Sequence, residues 1–219
     1  MVTIPVRKFF PSDLIPAAGA ALGSEHFEGI CQKIPSAKLS SAFETIVALD
    51  FDGIEDATPS YIKATVLALH QCGRLYAEEL THSEAVELEN QVHSLNIVVC
   101  LLNASEPVQL CVHEVFSLRG LGILNGVSIS DDRLERAVLL GRLDSKVEHT
   151  LLVTAPLPNF SAPELAVHVV SEQLSVNGWN NRLAELHRHR LIRRRAEGRT
   201  LRFFPVANEI FAYGKVLFR

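Results

Sequence analysis

The chain has few of the residue patterns that build metal or redox sites. Its four cysteines lie far apart and form no Cys-x-x-Cys pair: Cys31, Cys72, Cys100 and Cys111. This spacing argues against a zinc knuckle or a thiol redox motif and favours buried free thiols. Among the nine histidines, His187 and His189 fall on different faces of a predicted helix. We therefore expect no metal and no cofactor.

Long apolar runs are also missing. No run approaches the ~20 apolar residues of a membrane span, and the N-terminal sequence MVTIPVRKFF has no apolar core before a cleavage site. Both absences predict a cytoplasmic protein without membrane association. Residues 120–126 contain glycines but neither a dinucleotide fingerprint nor a phosphate loop. We interpret them as a flexible interdomain connection in a 219-residue chain long enough for two domains.

The C-terminal part shows helical and hairpin patterns. Ser161 and Glu164 have capping-box spacing, and Ser175 can cap a second helix whose apolar residues share one face: Trp179, Leu183 and Leu186. Residues 191–205 alternate on both sides of a glycine-containing turn, which predicts a β-hairpin. Residues 144–155 are assigned as a preceding helix, although their alternation also fits a strand. For residues 207–219 three roles stay open: an added strand, packing onto the domain formed by these helices and the hairpin, or a homodimer contact.

Charge is divided unevenly along the chain. Residues 174–219 contain ten Lys/Arg and three acids, a formal charge of +7, which leaves 11 basic and 22 acidic residues elsewhere, or −11. The whole-chain value of −4 conceals this division. A basic end joined to an acidic body indicates an anionic partner for that end.

The run NNRLAELHRHRLIRRRAEGRTLRFFPV, from Asn180 to Val206, resembles winged helix-turn-helix transcription regulators of bacteria. The resemblance implies double-stranded DNA as a partner, with helix 176–189 in the major groove. Base-edge contacts would come from Asn180, Asn181 and Arg182, and phosphate contacts from Arg188, Arg193, Arg194, Arg195, Arg199 and Arg202. The alternative is that the asparagines only cap or solvate the helix and Arg182 pairs with Glu172 or Glu185.

The N-terminal part alternates between apolar strands and capped helices. Residues 45–51 and 96–103 are continuous apolar runs typical of strands covered on both faces. Helices are predicted to begin at Thr58-Pro59 and at Glu106-Pro107. A further helix is predicted over 83–94, and a strand over 3–9 precedes a helix over 12–22. This alternation predicts an α/β architecture.

Residues 47–62, VALDFDGIEDATPSYI, and 102–108, LNASEPV, resemble the strand-to-helix junctions of STAS-like domains, which are related to anti-sigma-factor antagonists. The resemblance covers residues 1–116 and implies a partner-binding or ligand-sensing role. Antagonists carry a phosphorylatable Ser in an Asp-Ser-Ser-Gly turn, where this chain has Ala-Thr-Pro-Ser. Thr58 and Ser60 are therefore the candidate regulatory hydroxyls.

An enzymatic alternative comes from Asp50-Phe51-Asp52-Gly53, which looks like the start of Mg²⁺-dependent haloacid-dehalogenase-type phosphatases. Ser105 would supply the later hydroxyl and Asp131-Asp132 the metal ligands. No Lys lies between them to stabilise phosphoryl oxygens, which argues against catalysis.

The leading prediction is a non-enzymatic regulator with three parts. Residues 1–116 form a STAS-like α/β domain, 117–142 a linker with a connecting helix from Ser130 to Leu140, and 143–219 a winged helix-turn-helix domain. The second prediction is a protein-interaction adaptor whose basic hairpin docks an acidic partner.

Overall fold

The computed structural model describes residues 1–9, 18–35, 43–79 and 95–214, which form a mixed α/β fold. The strands in these ranges are β1 (Val2–Pro5), β2 (Thr45–Asp50), β3 (Ile97–Leu102), β4 (Gly122–Gly126), β5 (Ile129–Ser130), β6 (Arg133–Gly141), β7 (Ile192–Glu197), β8 (Thr200–Pro205) and β9 (Ala207–Ala212). The helices are α1 (Ala20–Lys33), α2, which runs through Pro59–Ile62, Lys63–Leu67 and Ala68–Glu79, α3 (Glu106–Ser117), α4 (Ser145–Thr154), α5 (Ala162–His168) and α6 (Val176–Arg188).

The main sheet has a parallel half and a mixed half. Strands β1 to β4 are parallel neighbours in chain order, β6 is antiparallel to β4, and β5 pairs with the start of β6. Strand β9 pairs in parallel with β6, whereas β7 and β8 form a separate antiparallel hairpin. Of the three roles left open for the C-terminal residues, an added strand is therefore confirmed for Ala207–Ala212.

Successive residues of the central strands belong to two different cores. Val47 and Leu49 pack in a core with α1, α2 and α3. Ile46 and Ala48, on the other face of β2, pack in a second core with Trp179 and residues of α4, α5 and α6. This two-sided burial explains why residues 45–50 and 97–102 read as continuous apolar runs rather than alternating ones.

Two predictions for the middle of the chain are wrong. Residues 120–126 are no flexible connection, because Gly122–Gly126 is the fully buried strand β4. The helix predicted from Ser130 to Leu140 is strand β6. Asp131 and Asp132 adopt positive φ values of 50° and 60°, which form the tight turn between β5 and β6 instead of a helix cap. Pairing with both β4 and β9 then holds residues 133–141 extended.

Other predicted elements are confirmed or adjusted. Thr58 caps α2, Asp144 caps α4 with its carboxylate accepting from the Lys146 N–H, and residues 145–154 are helical rather than extended. The N-terminal strand ends at Pro5, before a 3-10 turn at Val6–Phe9. The helix predicted over 83–94 lies outside the described residues, as do residues 12–17 of the helix predicted over 12–22; α1 begins at Ala20.

Two further expectations concern the burial of the cysteines and the presence of membrane-spanning helices. Cys72, Cys100 and Cys111 are buried free thiols, as predicted, and Cys31 is half-buried. Burial raises the pKa of Cys100 to about 12, which leaves this thiol protonated. Within the described ranges, no helix combines the length and the apolar character that crossing a bilayer requires.

Candidate nucleic-acid interface

Helix α6 is amphipathic, and its two faces differ as the sequence predicts. The Ser175 hydroxyl accepts the Gly178 N–H at 3.2 Å and so caps the helix. Trp179, Leu183 and Leu186 are fully buried in the second core. Asn180 and Asn181 lie on the exposed side. The helix therefore presents an amide-rich surface to solvent.

The start of α5 is joined to the hairpin. The Glu164 carboxylate accepts the Ser161 N–H at 2.8 Å, which completes the predicted capping box. Phe160, one residue earlier, exchanges two backbone hydrogen bonds with Phe203 of β8, at 3.0 and 2.8 Å. At the other end of the hairpin, Gly198 supplies the positive φ of 61° that its turn requires. The hairpin thus extends from a base fixed to the helices.

Four of the predicted phosphate- or base-contacting arginines pair with the chain's own carboxylates. Arg182 contacts Glu172 at 3.3 Å and Arg202 contacts Glu164 at 3.0 Å. Arg188 pairs with Glu185, and Arg195 pairs with Glu197. The first of these pairs confirms one alternative read from the sequence. Ion pairs this close to solvent contribute little to stability, so a phosphate could replace the carboxylate at small cost.

Glu172 is shared between two helices. It accepts a hydrogen bond from His149 of α4 at 2.7 Å in addition to its contact with Arg182 of α6. The hydrogen bond from His149, followed by the charges of His149 and Arg182, holds the pKa of this carboxyl below its usual value. Glu172 therefore remains ionised and competes directly for Arg182.

The arginines of the hairpin differ in their surroundings. The Arg193 guanidinium lies 4.4 Å from the centre of the Phe43 ring, and that of Arg195 lies 5.2 Å from the Phe204 ring. Such stacking of cations on aromatic rings is favourable and restricts the side chains. Arg199 is exposed beside the turn, and Arg194 is half-buried. Fewer arginines of the hairpin are consequently exposed and unpaired than the charge count predicts.

A buried ionic cluster connects the end of α6 to the main sheet. Glu44, which immediately precedes β2, accepts hydrogen bonds from His187 Nε2 at 2.5 Å and from Arg190 Nη1 at 3.3 Å. Its second oxygen accepts the backbone N–H of Arg194 at 2.9 Å. Glu44, His187 and Arg190 are at most 5% exposed. We call this set the Glu44 cluster.

The protonation states in the Glu44 cluster follow from burial and hydrogen bonding. Burial alone would raise the pKa of the Glu44 carboxyl, but hydrogen bonds from His187 and the Arg194 N–H outweigh it and lower that pKa. Burial lowers the pKa of His187, against the opposing effect of Glu44. An ionised carboxylate can only accept, so His187 donates its Nε2 proton, and the lowered pKa of His187 favours its neutral form. Arg190 supplies the compensating positive charge.

Arg190 occupies a backbone position that glycine usually takes. It follows the C-cap His189 with a φ of 57°, and the Leu191 N–H bonds to the Leu186 carbonyl across it. This is the Schellman arrangement, in which a left-handed residue ends the helix. The strain is retained because the guanidinium reaches both Glu44 and the carbonyl oxygen of Gly73 in α2.

Sequence reasoning missed the Glu44 cluster, although one signal was present. His187 follows Trp179 and Leu183 at four-residue spacing, which places it on the apolar face of α6. Glu44 and Arg190 gave no such signal, because charged residues beside predicted strand and helix ends are usually exposed.

The residues of the phosphatase alternative are divided between the ends of β2 and β3 and the turn between β5 and β6. Asp50 accepts hydrogen bonds from the Asn103 side chain at 2.9 Å and from the Asp52 N–H at 3.2 Å. The Ser105 hydroxyl donates to the backbone oxygen of Glu55 at 2.7 Å. Asp131 and Asp132 form a strand turn. Among the described residues, no three His, Cys, Asp or Glu side chains are grouped closely enough to hold a metal ion.

Of the two candidate regulatory hydroxyls, one is engaged and one is exposed. Thr58 Oγ1 accepts the N–H groups of Gly19 at 3.1 Å and Tyr61 at 3.4 Å. Ser60 is exposed, and its hydroxyl lies 3.1 Å from that of Thr58. Thr58 therefore anchors the starts of α1 and α2, whereas Ser60 can be reached from solvent.

Comparison with models of known protein families, with curated proteins and with solved structures finds no match to this chain.

Proposed function

We propose that the protein is a cytoplasmic, non-enzymatic transcription regulator that binds double-stranded DNA. In this proposal residues 143–219 act as a winged helix-turn-helix unit, with α6 in the major groove and the β7–β8 hairpin as the wing. Residues 1–116 act as a STAS-like body that senses a ligand or a protein partner. A homodimer would present two copies of α6 to a palindromic site.

One observation carries the proposal: the chain order of α4, the Phe160 bridge, α5, α6 and a basic hairpin. In a winged helix-turn-helix the third helix follows a short turn, and the hairpin beside it contacts the backbone of the duplex. Asn180 and Asn181 lie on the outward side of α6, and Arg199 lies at the hairpin turn. These positions suit base-edge and phosphate contacts respectively.

The function is tested by duplex binding as a function of salt. The purified full-length protein is titrated into fluorescent genomic and random-sequence duplexes at 50 mM and 200 mM salt. The proposal expects binding that weakens steeply with salt, because phosphate contacts release condensed counterions. Absence of any complex at the lower salt concentration would refute it.

A second proposed function is protein docking, favoured by exposed apolar residues near α5. Val167 is 67% exposed and Val170 is 70% exposed. Apolar side chains beside α6 suit a protein partner better than a phosphate backbone. Substituting both residues with Ser should leave DNA binding intact if α6 binds DNA. If the unit docks a protein instead, the double substitution should abolish binding of that protein partner.

A further inference from the structure

The outward face of α6 carries amides where a DNA-reading helix often carries arginines. Asn177, Asn180 and Asn181 are all exposed and stand at i, i+3 and i+4, so they are neighbours on one side of the helix. The described part of the chain provides no hydrogen-bond partner for their side chains. Three adjacent amides are thus available to an external ligand.

The two arginines of α6 pair with carboxylates of the chain itself. Arg182 contacts Glu172 at 3.3 Å, and Arg188 pairs with Glu185 three residues earlier. Arginine is the side chain best suited to guanine, whose major-groove edge offers two acceptors. With both arginines paired, the unpaired polar side chains on this face are amides.

Helix propensity gives an independent reason to assign these asparagines a role. Asn is a weaker helix former than Ala, Lys or Glu, because its side chain competes for nearby backbone hydrogen bonds. Asn180 and Asn181 occupy solvent-facing positions in the interior of a 13-residue helix, where no packing demands them. Stability alone would favour other residues there.

We propose that α6 reads adenine–thymine base pairs through Asn177, Asn180 and Asn181. This inference rests on the proposed DNA-binding function and specifies its substrate. An Asn amide matches adenine, because Oδ1 accepts from the N6 amino group while Nδ2 donates to N7. Val176, 40% exposed and one turn before Asn180, fits the methyl group of thymine.

The experiment selects bound duplexes from a random library with the full-length protein, then measures affinity for the enriched site. We expect the site to contain adenine–thymine pairs, and replacing each contacted pair with guanine–cytosine to weaken binding about tenfold. Substituting 7-deazaadenine, which lacks only the N7 acceptor, should weaken binding at the same positions. Enrichment of guanine–cytosine sites, or no enrichment, would overturn the inference.

Variants separate amide reading from general attraction to DNA. The substitutions Asn180→Ala and Asn181→Ala should reduce the preference for the enriched site about tenfold while leaving affinity for unrelated duplexes unchanged. The control Gln32→Ala, at an exposed position of α1 on the other side of the sheet, should retain the preference. If the asparagine variants keep the full preference, the inference is wrong although DNA binding stands; if the wild-type protein binds no duplex, the proposed function itself fails.

Discussion

Glu44 and His187 lie 143 positions apart in the sequence, yet they share a buried hydrogen bond of 2.5 Å. The contact joins the residue that precedes β2 to the last turn of α6. Arg190 bonds to the same carboxylate and to Gly73 of α2. The start of β2, the end of α6 and α2 are therefore all connected through the Glu44 carboxylate. Any change in this cluster should therefore affect both the sheet and the helix proposed to bind DNA.

Glu44→Gln should destabilise the protein strongly. The substitution preserves shape but removes the buried carboxylate charge that His187 and Arg190 both contact, and breaking a buried pair in this way costs about 3–5 kcal/mol. Urea denaturation measures the free energy of unfolding. The matched control is Glu55→Gln, at an exposed site, with an expected change within ~0.5 kcal/mol. Equal stabilities of the two variants would contradict the role of the Glu44 cluster.

Substitutions of Arg190 should separate its backbone strain from its charge. Arg190→Gly removes the backbone strain at a φ of 57° but also removes the guanidinium. Because the loss of the guanidinium is the larger effect, this variant should be less stable than the wild type. Arg190→Ala loses the same charge and keeps the strain, so it should be less stable than Arg190→Gly by about 1 kcal/mol. The order is measured by urea denaturation; an Ala variant as stable as the Gly variant would refute the strain argument.

Stability should fall as the pH drops below about 6.5. Burial, followed by the charges of Arg74, His189 and Arg190, lowers the pKa of His70 to about 3. A neutral histidine in the folded state becomes charged on unfolding, so the unfolded state binds more protons at acidic pH. His70 alone should cost about 1.4 kcal/mol per pH unit between pH 6 and 4. The lowered pKa of His187 acts in the same direction.

The variant His70→Phe tests this assignment. It removes the titrating group beside Phe116 and should therefore reduce the slope of unfolding free energy against pH. Denaturation curves at pH 4, 5, 6 and 7 give the slope for both proteins. An unchanged slope would show that His70 does not titrate between the folded and unfolded states as described.

Glu172→Gln should strengthen DNA binding. Glu172 holds Arg182 and His149, and its removal frees cationic and donor groups beside α6 for phosphate contact. We expect a two- to tenfold gain in affinity at low salt that shrinks as salt is added. The control Glu28→Gln makes the same charge change on α1, on the opposite side of the sheet, and should leave affinity unchanged. A loss of affinity in Glu172→Gln would contradict this competition.

Helix caps and the hairpin turn could be predicted from the sequence, because neighbouring residues determine their geometry. The Ser161–Glu164 capping box, the Ser175 cap and the turn at Gly198 each depend on residues within a few positions. Strand β6 could not be predicted in this way. Its preceding aspartates resemble a helix cap, and its extended conformation depends on pairing with β4 and with β9, which lies more than sixty residues later.

The exposed residues of the site were predictable from the sequence, and the Arg182–Glu172 pair stood as one alternative, but the other ion pairs were not predicted. The amphipathic pattern placed Asn180 and Asn181 on the exposed face of α6. Charge counting overestimated the free arginines, because Glu164 and Glu172 reach Arg202 and Arg182 only through the fold. The contacts of Arg190 with Glu44 and Gly73 are likewise tertiary.

The central claim is tested most directly by the salt dependence of duplex binding in two arginine variants. Arg199→Ala removes an exposed charge at the hairpin turn, and Arg119→Ala removes one after α3, on the side of the sheet opposite α6. Plots of log affinity against log salt should lose about one unit of slope for Arg199→Ala and none for Arg119→Ala. Equal slopes for the wild type and both variants, or no duplex binding at all, would contradict the account.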